Sequence, residues 1–355
     1  MLTLEETLAG QNDLVQLCAD RPLKTKEICR ANAFYGIDTV LKQYAGLPLS
    51  YALKVVVPHG PDLTKGNVWE GEAKAPVPVV WCYPPYRERA YVSRTNKKVI
   101  LSASPFVYVV EMLKKQSRPP RRGTIFFPAH STHWHTSHMD FDRLAEELIR
   151  LEDEYKPITV CMYWRDFNLG RHIPFQERGL PIVSAGHIYD SDFLYRFYHL
   201  CSMHRYAAGN DLGSNIFYSV KAGCSYFHFD KVGCSYEIDL TVDPDDLPAD
   251  ASADESALKS LFRYPRPLMT AEQLKTVDFY LCAGYLRSPQ ELKRQLLDAE
   301  RLDKVGFWIG NSGVRVHFKF PPYYRRLSGA MLSWLPGPVK QRLKQGATWL
   351  RRGRG

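Results

Sequence analysis

The sequence predicts an α/β protein of two domains that face a cleft, followed by a basic amphipathic helix. Three observations lead there. At 355 residues the chain is longer than a single core usually serves. From Thr124 onward, short apolar runs alternate with amphipathic helical stretches, which is the pattern of a parallel sheet covered on both faces. A polar, proline-stiffened stretch from Ser117 to Gly123 divides the chain and is the best domain boundary in it. The expected units are residues 1–118, residues 119–325 and a tail, 326–355.

In the first unit, Glu27–Tyr44 reads as a helix stopped by Gly46 and Pro48. Lys54–Pro58, Pro78–Cys82 and Val99–Ser102 read as buried strands, and Val107–Lys115 as a helix leaving the last of them. The second unit opens with a strand at Thr124–Phe127. A helix at Phe141–Tyr155 follows, with Phe141, Leu144, Ala145, Leu148 and Leu151 on one face. Ile158–Trp164 and Pro181–Ser184 read as strands, then Ser191–Cys201 as a helix. His204–Ala208 is a strand, Ser214–Ala222 a helix and Cys224–Phe229 a strand. Asp239–Glu255 reads as an acidic, solvated loop, and Ala271–Leu281 and Pro289–Leu302 as closing helices. In such sheets ligands sit at the loops that follow the strands' C-terminal ends.

Composition narrows the function classes. The formal net charge is +9, yet from Arg325 onward there are eight Lys or Arg and no acid, leaving 39 basic and 38 acidic residues elsewhere. A nearly neutral body argues against nucleic acid, and a basic tail argues for an anionic lipid surface. Val339, Leu343, Gly346, Ala347 and Leu350 recur at helical spacing in that tail, among Lys340, Arg342, Lys344, Arg351 and Arg352. The alternative is that this helix packs back on the body. The N-terminus lacks the basic start and apolar run of a signal peptide, and no uncharged stretch is long enough to span a bilayer. Eight scattered cysteines without a CxxC pair suit reduced, buried thiols. The expected location is the cytoplasm, at the inner face of the membrane.

Three segments carry candidate chemistry. His130, His133, His135 and His138 follow the Thr124–Phe127 strand, with Ser131 and Thr132 between them. They read either as metal ligands of a hydrolase or as a loop that grips an anion through imidazole and hydroxyl groups. Gly213, Ser214 and Asn215 open a helix, where unpaired N–H groups and the helix dipole favour a phosphate. Ser214 is otherwise a plain N-cap. His59 and Gly60 end the Lys54–Pro58 strand and face the predicted cleft, although a single histidine there is also a common structural feature. Tyr163–Asp166 and Ala185–His187 are two more strand-end loops on the same edge; Gly186 permits close backbone approach and His187 is placed to reach a base or phosphate.

The second unit, from FFPAHSTHWH through YWRDF and SAGHIYDSDF to DLGSNIFYSVKAGC, resembles the donor-binding half of GT-B glycosyltransferases of bacterial capsule and lipopolysaccharide biosynthesis. The layout is also similar to CDP-glycerol glycerophosphotransferases and to bacterial sialyl- and Kdo-transferases. The resemblance covers roughly residues 30–300 and implies two Rossmann-like domains across a cleft. It implies that His59 is the catalytic base and that His130, Ser214 and Asn215 hold the phosphates of a nucleotide-linked sugar. Ser131, Thr132, Gly186, His187 and Gly213 complete the expected donor site. The implied reaction is transfer to a saccharide or lipid-linked acceptor, with no metal or other cofactor required. Here Ser131 follows His130 where the family usually has Pro, and the helix starts Ser-Asn where the family has a Ser pair. The rival readings are a metal-dependent hydrolase and a non-catalytic polysaccharide-assembly factor.

Overall fold

The computed structural model describes residues 1–63, 68–117, 119–133, 135–238 and 253–304. The tail and most of the acidic stretch Asp239–Glu255 lie outside the described residues. Ten strands are found among these residues. They are β1 (Val55–Val56), β2 (Val79–Cys82), β3 (Lys98–Leu101), β4 (Thr124–Phe127), β5 (His135–His138), β6 (Ile158–Cys161), β7 (Ile182–Val183), β8 (Tyr206–Gly209), β9 (Ser225–His228) and β10 (Ser235–Ile238). β1, β2 and β3 form one parallel sheet in that order, and a second parallel sheet has the order β7-β6-β4-β8-β9. This is the expected α/β class with two parallel sheets.

The order of the second sheet locates a crevice. The chain starts at β4, steps outward through β6 to β7, then crosses back to build β8 and β9 on the other side. The loops leaving β4 and β8 therefore diverge, and open sheets bind ligands at such a reversal. Helices cover the sheet because their apolar faces match it. Leu144, Ala145 and Leu148 are the buried face of the helix Phe141–Ile149. One apolar core runs through both sheets, joining Val55 and Trp81 to Ile125, Ala207 and Phe217. All eight cysteines are free thiols, and all but Cys234 are buried.

Both ends of the described chain cross over. Near the N-terminus, the Gln11 amide donates to the Ser184 carbonyl at 3.1 Å and accepts from the Ser184 N–H at 2.8 Å. After the second sheet, the helix Pro289–Lys304 returns to the first, where Lys54 pairs with Asp303 at 3.1 Å. No described helix is long and apolar enough to cross a membrane.

The helix expected at Phe141–Tyr155 ends at Ile149, and Asp153–Tyr155 is a separate 3₁₀ turn; three further differences bear on the site. Glu27–Tyr44 is not one helix: a short 3₁₀ turn breaks at Tyr35 and Gly36, both at positive φ (58° and 72°), and the α-helix begins at Ile37. Side chains explain it. The buried Asn32 amide donates to the Val55 carbonyl at 2.8 Å and accepts from the Val57 N–H at 2.9 Å, tying this segment sideways to β1. Ile158–Trp164 is a strand only to Cys161, and a helix starts at Trp164. His135–His138 is a strand paired antiparallel with Ser235–Ile238, although its sequence shows no apolar alternation.

Candidate active-site cleft

The crevice is shaped by polar side chains that tie its loops together. Asn210, just after β8, accepts from the Ala129 N–H at 2.8 Å and donates to the Val232 carbonyl at 3.1 Å. It thereby joins the loop after β4 to the loop after β8. Ser131 is fully buried: its N–H donates to Asp166 at 2.8 Å, and its hydroxyl accepts from the Ser137 N–H at 3.0 Å and from Arg171 at 2.6 Å. The Thr132 N–H donates to the His135 carbonyl at 2.8 Å, and the Thr132 hydroxyl lies 3.1 Å from His135 Nδ1. Ser131 and Thr132 thus hold the loop's shape, and the loop turns His130 outward into the cleft, 4.6 Å from the Tyr163 ring.

Opposite lies the start of the helix Ser214–Ala222. Its N-cap is Gly213 in an extended conformation, so no side chain caps the first turn. That leaves the helix start with the partial positive charge that attracts anions. Asn215 folds back over the end of β8. A Cβ at Gly209 would stand 2.9 Å from its amide nitrogen, and one at Gly213 2.8 Å from its amide oxygen. On the same helix Tyr218 is buried, and burial pushes its phenol up to about 12, so it keeps its proton.

The first sheet reaches this helix start. β1 runs into Pro58, His59 and Gly60, and a Cβ added at Gly60 would stand 2.5 Å from Ser214 Oγ. Only a glycine fits there without displacing the serine. His59 is open to the cleft on one side and surrounded by protein on the others. That burial lowers its pKa from the usual histidine value, with Asp62 nearby opposing the shift and Arg87 adding to it. His130 is placed likewise, lowered by burial with Asp166 and Asp211 opposing. Both rings are therefore neutral at pH 7.

Between the two histidines stand Tyr35, which the sequence did not single out, and Tyr163, from one of the strand-end loops that it did. Tyr35 lies 6.2 Å from the His59 ring, and its hydroxyl is 3.5 Å from that of Tyr163. His59, Tyr35, Tyr163 and His130 thus follow one another across the cleft. The Tyr35 N–H donates to the Ile188 carbonyl at 2.6 Å, and Gly36 presses on Ser191, where a Cβ would sit 2.0 Å from the backbone oxygen. A positive φ on a residue as large as tyrosine is uncommon and concentrates where function demands it. The sequence signal was the Tyr35-Gly36 pair itself, hidden inside a helical period.

Gly186 and His187 are placed elsewhere. Gly186 has φ 100°, and a Cβ on it would stand 2.8 Å from Arg196, which pairs with Asp190 at 3.2 Å. His187 is fully buried against Trp164. Its Nδ1 accepts from the Tyr189 N–H at 3.1 Å, so Nε2 carries the proton toward Asp20, also at 3.1 Å. Both nitrogens have protein partners, and the two residues build the loop after β7. Of the other carboxylates near β1, Asp38 pairs with Lys42 at 2.7 Å, and Lys42 pairs with Glu27 at 2.6 Å. Asp62 is the carboxylate beside His59, and it pairs with the buried Arg87 at 3.5 Å.

The four clustered histidines diverge. His133 packs on Trp164 and Tyr189, His135 on Tyr236, and His138 meets Glu237 at 3.1 Å. Among the described residues no three His, Cys, Asp or Glu side chains gather as a metal shell. The hydrolase alternative finds no ligand set in these residues.

No family model matches the sequence, and no curated protein does. Among solved structures the chain is similar to UDP-GlcNAc 2-epimerase from Neisseria meningitidis bound to UDP-GlcNAc. The identity is 10% and the TM-score 0.36, covering 84% of this chain and 89% of that one.

Proposed function

We propose that the chain is a glycosyltransferase that moves a sugar from a nucleotide-linked donor to a saccharide or lipid-linked acceptor in surface-polysaccharide assembly. What supports the reading most is the meeting of the His59-Gly60 turn with the uncapped Ser214 helix start, at the crevice where the second sheet reverses. The donor's phosphates sit at the helix start, with hydrogen bonds from Ser214 and His130. The acceptor hydroxyl gives its proton to neutral His59 as its oxygen bonds to the anomeric carbon. The bond from that carbon to the phosphate oxygen breaks, and its electron pair leaves with the nucleotide. A histidine of pKa at or below 6.5 is free to accept that proton at neutral pH. The basic tail holds the enzyme on an anionic membrane surface at the cytoplasmic side.

The test has two steps. A thermal-shift panel of UDP-, GDP-, CMP-, CDP- and dTDP-linked sugars identifies the donor by its stabilisation of the folded chain. With that donor and an acceptor in hand, His59→Ala keeps fold and nucleotide binding but loses about 10²–10⁴-fold in turnover. A near-normal rate would reject His59 and move the base to Asp38 or Asp62. If no nucleotide-sugar stabilises the chain, the reading fails.

A further inference from the structure

A second cavity lies away from the cleft. Its volume is about 250 Å3, and it opens between the starts of β2 and β3 and the helix Pro289–Lys304. Because the strands are parallel, these starts are at the end of the sheet opposite His59, which follows the end of β1. Val79, Ile100, Ala299 and Leu302 give the cavity an apolar floor. Polar groups line the rest, and some have no hydrogen-bond partner. Both amide atoms of Gln295, Nε2 and Oε1, are buried without one, and so is Arg287 Nε. Leaving such groups unsatisfied costs about 1–3 kcal/mol each, so several together at one cavity call for an explanation.

The charges around the cavity are uneven. Lys98, Arg287 and Arg294 face Glu291 and Asp298, an excess of one positive charge. Both carboxylates are engaged on their own helix: Glu291 accepts from the Ser288 hydroxyl at 2.8 Å, and Asp298 pairs with Arg301 at 2.8 Å. Glu291 also lies in the field of Arg294 and Arg287, and the one positive charge these two guanidiniums carry in excess of it makes them the anion-attracting end. Gln295 presents a donor and an acceptor together, and the group that answers both at once is another amide. We infer that this cavity binds a small organic carboxylate that carries a neighbouring amide and a short apolar group. Arg287 and Arg294 take the carboxylate, Gln295 the amide, and Val79 and Leu302 the apolar part. This site does not depend on the glycosyl-transfer reading, since it shares no residue with the cleft.

The experiment titrates the full chain with N-acetylalanine, by calorimetry and thermal shift. Acetate lacks the amide and N-acetylalaninamide lacks the charge, so both serve as controls. N-acetylalanine is expected to saturate at one site, with each control at least tenfold weaker, and nucleotide-sugars are not expected to displace it. Gln295→Leu should weaken binding at least tenfold without lowering the melting temperature, because it removes the two orphaned atoms and keeps the volume. Arg294→Gln, at an exposed position, should weaken binding without touching the fold even if Gln295→Leu fails to fold. Absence of saturable binding would mean that water alone satisfies Gln295, and would overturn the proposal. So would equal binding of the uncharged amide, unchanged affinity in Arg294→Gln, or displacement by a nucleotide-sugar.

Discussion

Gly60 and Ser214 belong to different sheets, and their approach makes a residue-scale test of the cleft. Gly60→Ala places a methyl 2.5 Å from Ser214 Oγ but 3.7 Å from Ser214 Cβ, which is ordinary contact. Gly60→Ala is therefore expected to lower the melting temperature on its own and to be nearly neutral in a Ser214→Ala background. A coupling of about 0.5–3 kcal/mol in the double-mutant cycle would confirm the contact. Additive effects would mean that the turn and the helix start do not meet. Ser214→Ala alone should weaken nucleotide binding by about 1–3 kcal/mol, the loss of one charge-assisted hydrogen bond. His130 adds a proton-linked signature. Burial lowers its pKa, and in the proposed complex donor phosphates beside it would favour the imidazolium and raise it again. Binding then takes up a proton, and affinity rises as pH falls from 8 toward 6. Calorimetry in buffers of different ionisation enthalpy reads that uptake, and His130→Gln should abolish it. These residues were legible because a helix start or a strand end marks them. Tyr163 was legible only as part of a strand-end loop, and Tyr35 was not legible, because its pairing with Gly36 is hidden inside a helical period.

At the scale of elements, the Ser214 helix carries a conflict between stability and binding. A glycine N-cap leaves the first turn without a side-chain acceptor, which is suboptimal for the helix and useful for an anion. Gly213→Asp should reverse that balance. The backbone there is extended and accepts an aspartate, and the neighbouring Asn215 side chain can move aside. The variant is expected to melt no lower than the parent while nucleotide affinity falls at least tenfold, since a carboxylate then occupies the phosphate position. Retained affinity would place the phosphates elsewhere. The helix was readable because its boundaries are set locally, by Gly213 before it and Gly223 after it. The Tyr35 turn was not readable, because a distant strand decides it: Asn32 bonds to Val55 and Val57 across a gap in sequence. The same holds for β5, whose pairing with β10 is set by a partner about 100 residues away.

The whole molecule shares one electrostatic feature. Burial lowers the pKa of nine histidines: His59, His130, His133, His135, His172, His187, His199, His204 and His228. The two-sheet architecture produces this, because it places these rings in loops, helices and strand ends packed within the fold. His204 Nδ1, for example, lies 2.7 Å from the Leu200 carbonyl inside the core. In the unfolded chain each would titrate near 6.5, the ordinary value. Above that pH both states are neutral at these sites, and the histidines impose no penalty. As pH falls below 6.5 the unfolded chain takes up protons that the folded chain resists, so stability drops through the lowered folded values. Glu27, Glu72 and Asp192 act the other way: burial raises them, so below their raised values the folded chain holds protons that the unfolded chain does not. Below about pH 6.5 the nine histidines therefore favour the unfolded chain, and these three carboxyls oppose them. The melting temperature is expected to be flat from pH 8 to 7 and to fall by at least about 5 °C between pH 7 and 5.5. Calorimetry at fixed ionic strength measures it. A melting temperature that holds constant down to pH 5.5 would mean that these rings titrate freely in the folded protein, and that the neutral His59 on which the proton transfer depends is not maintained by the fold.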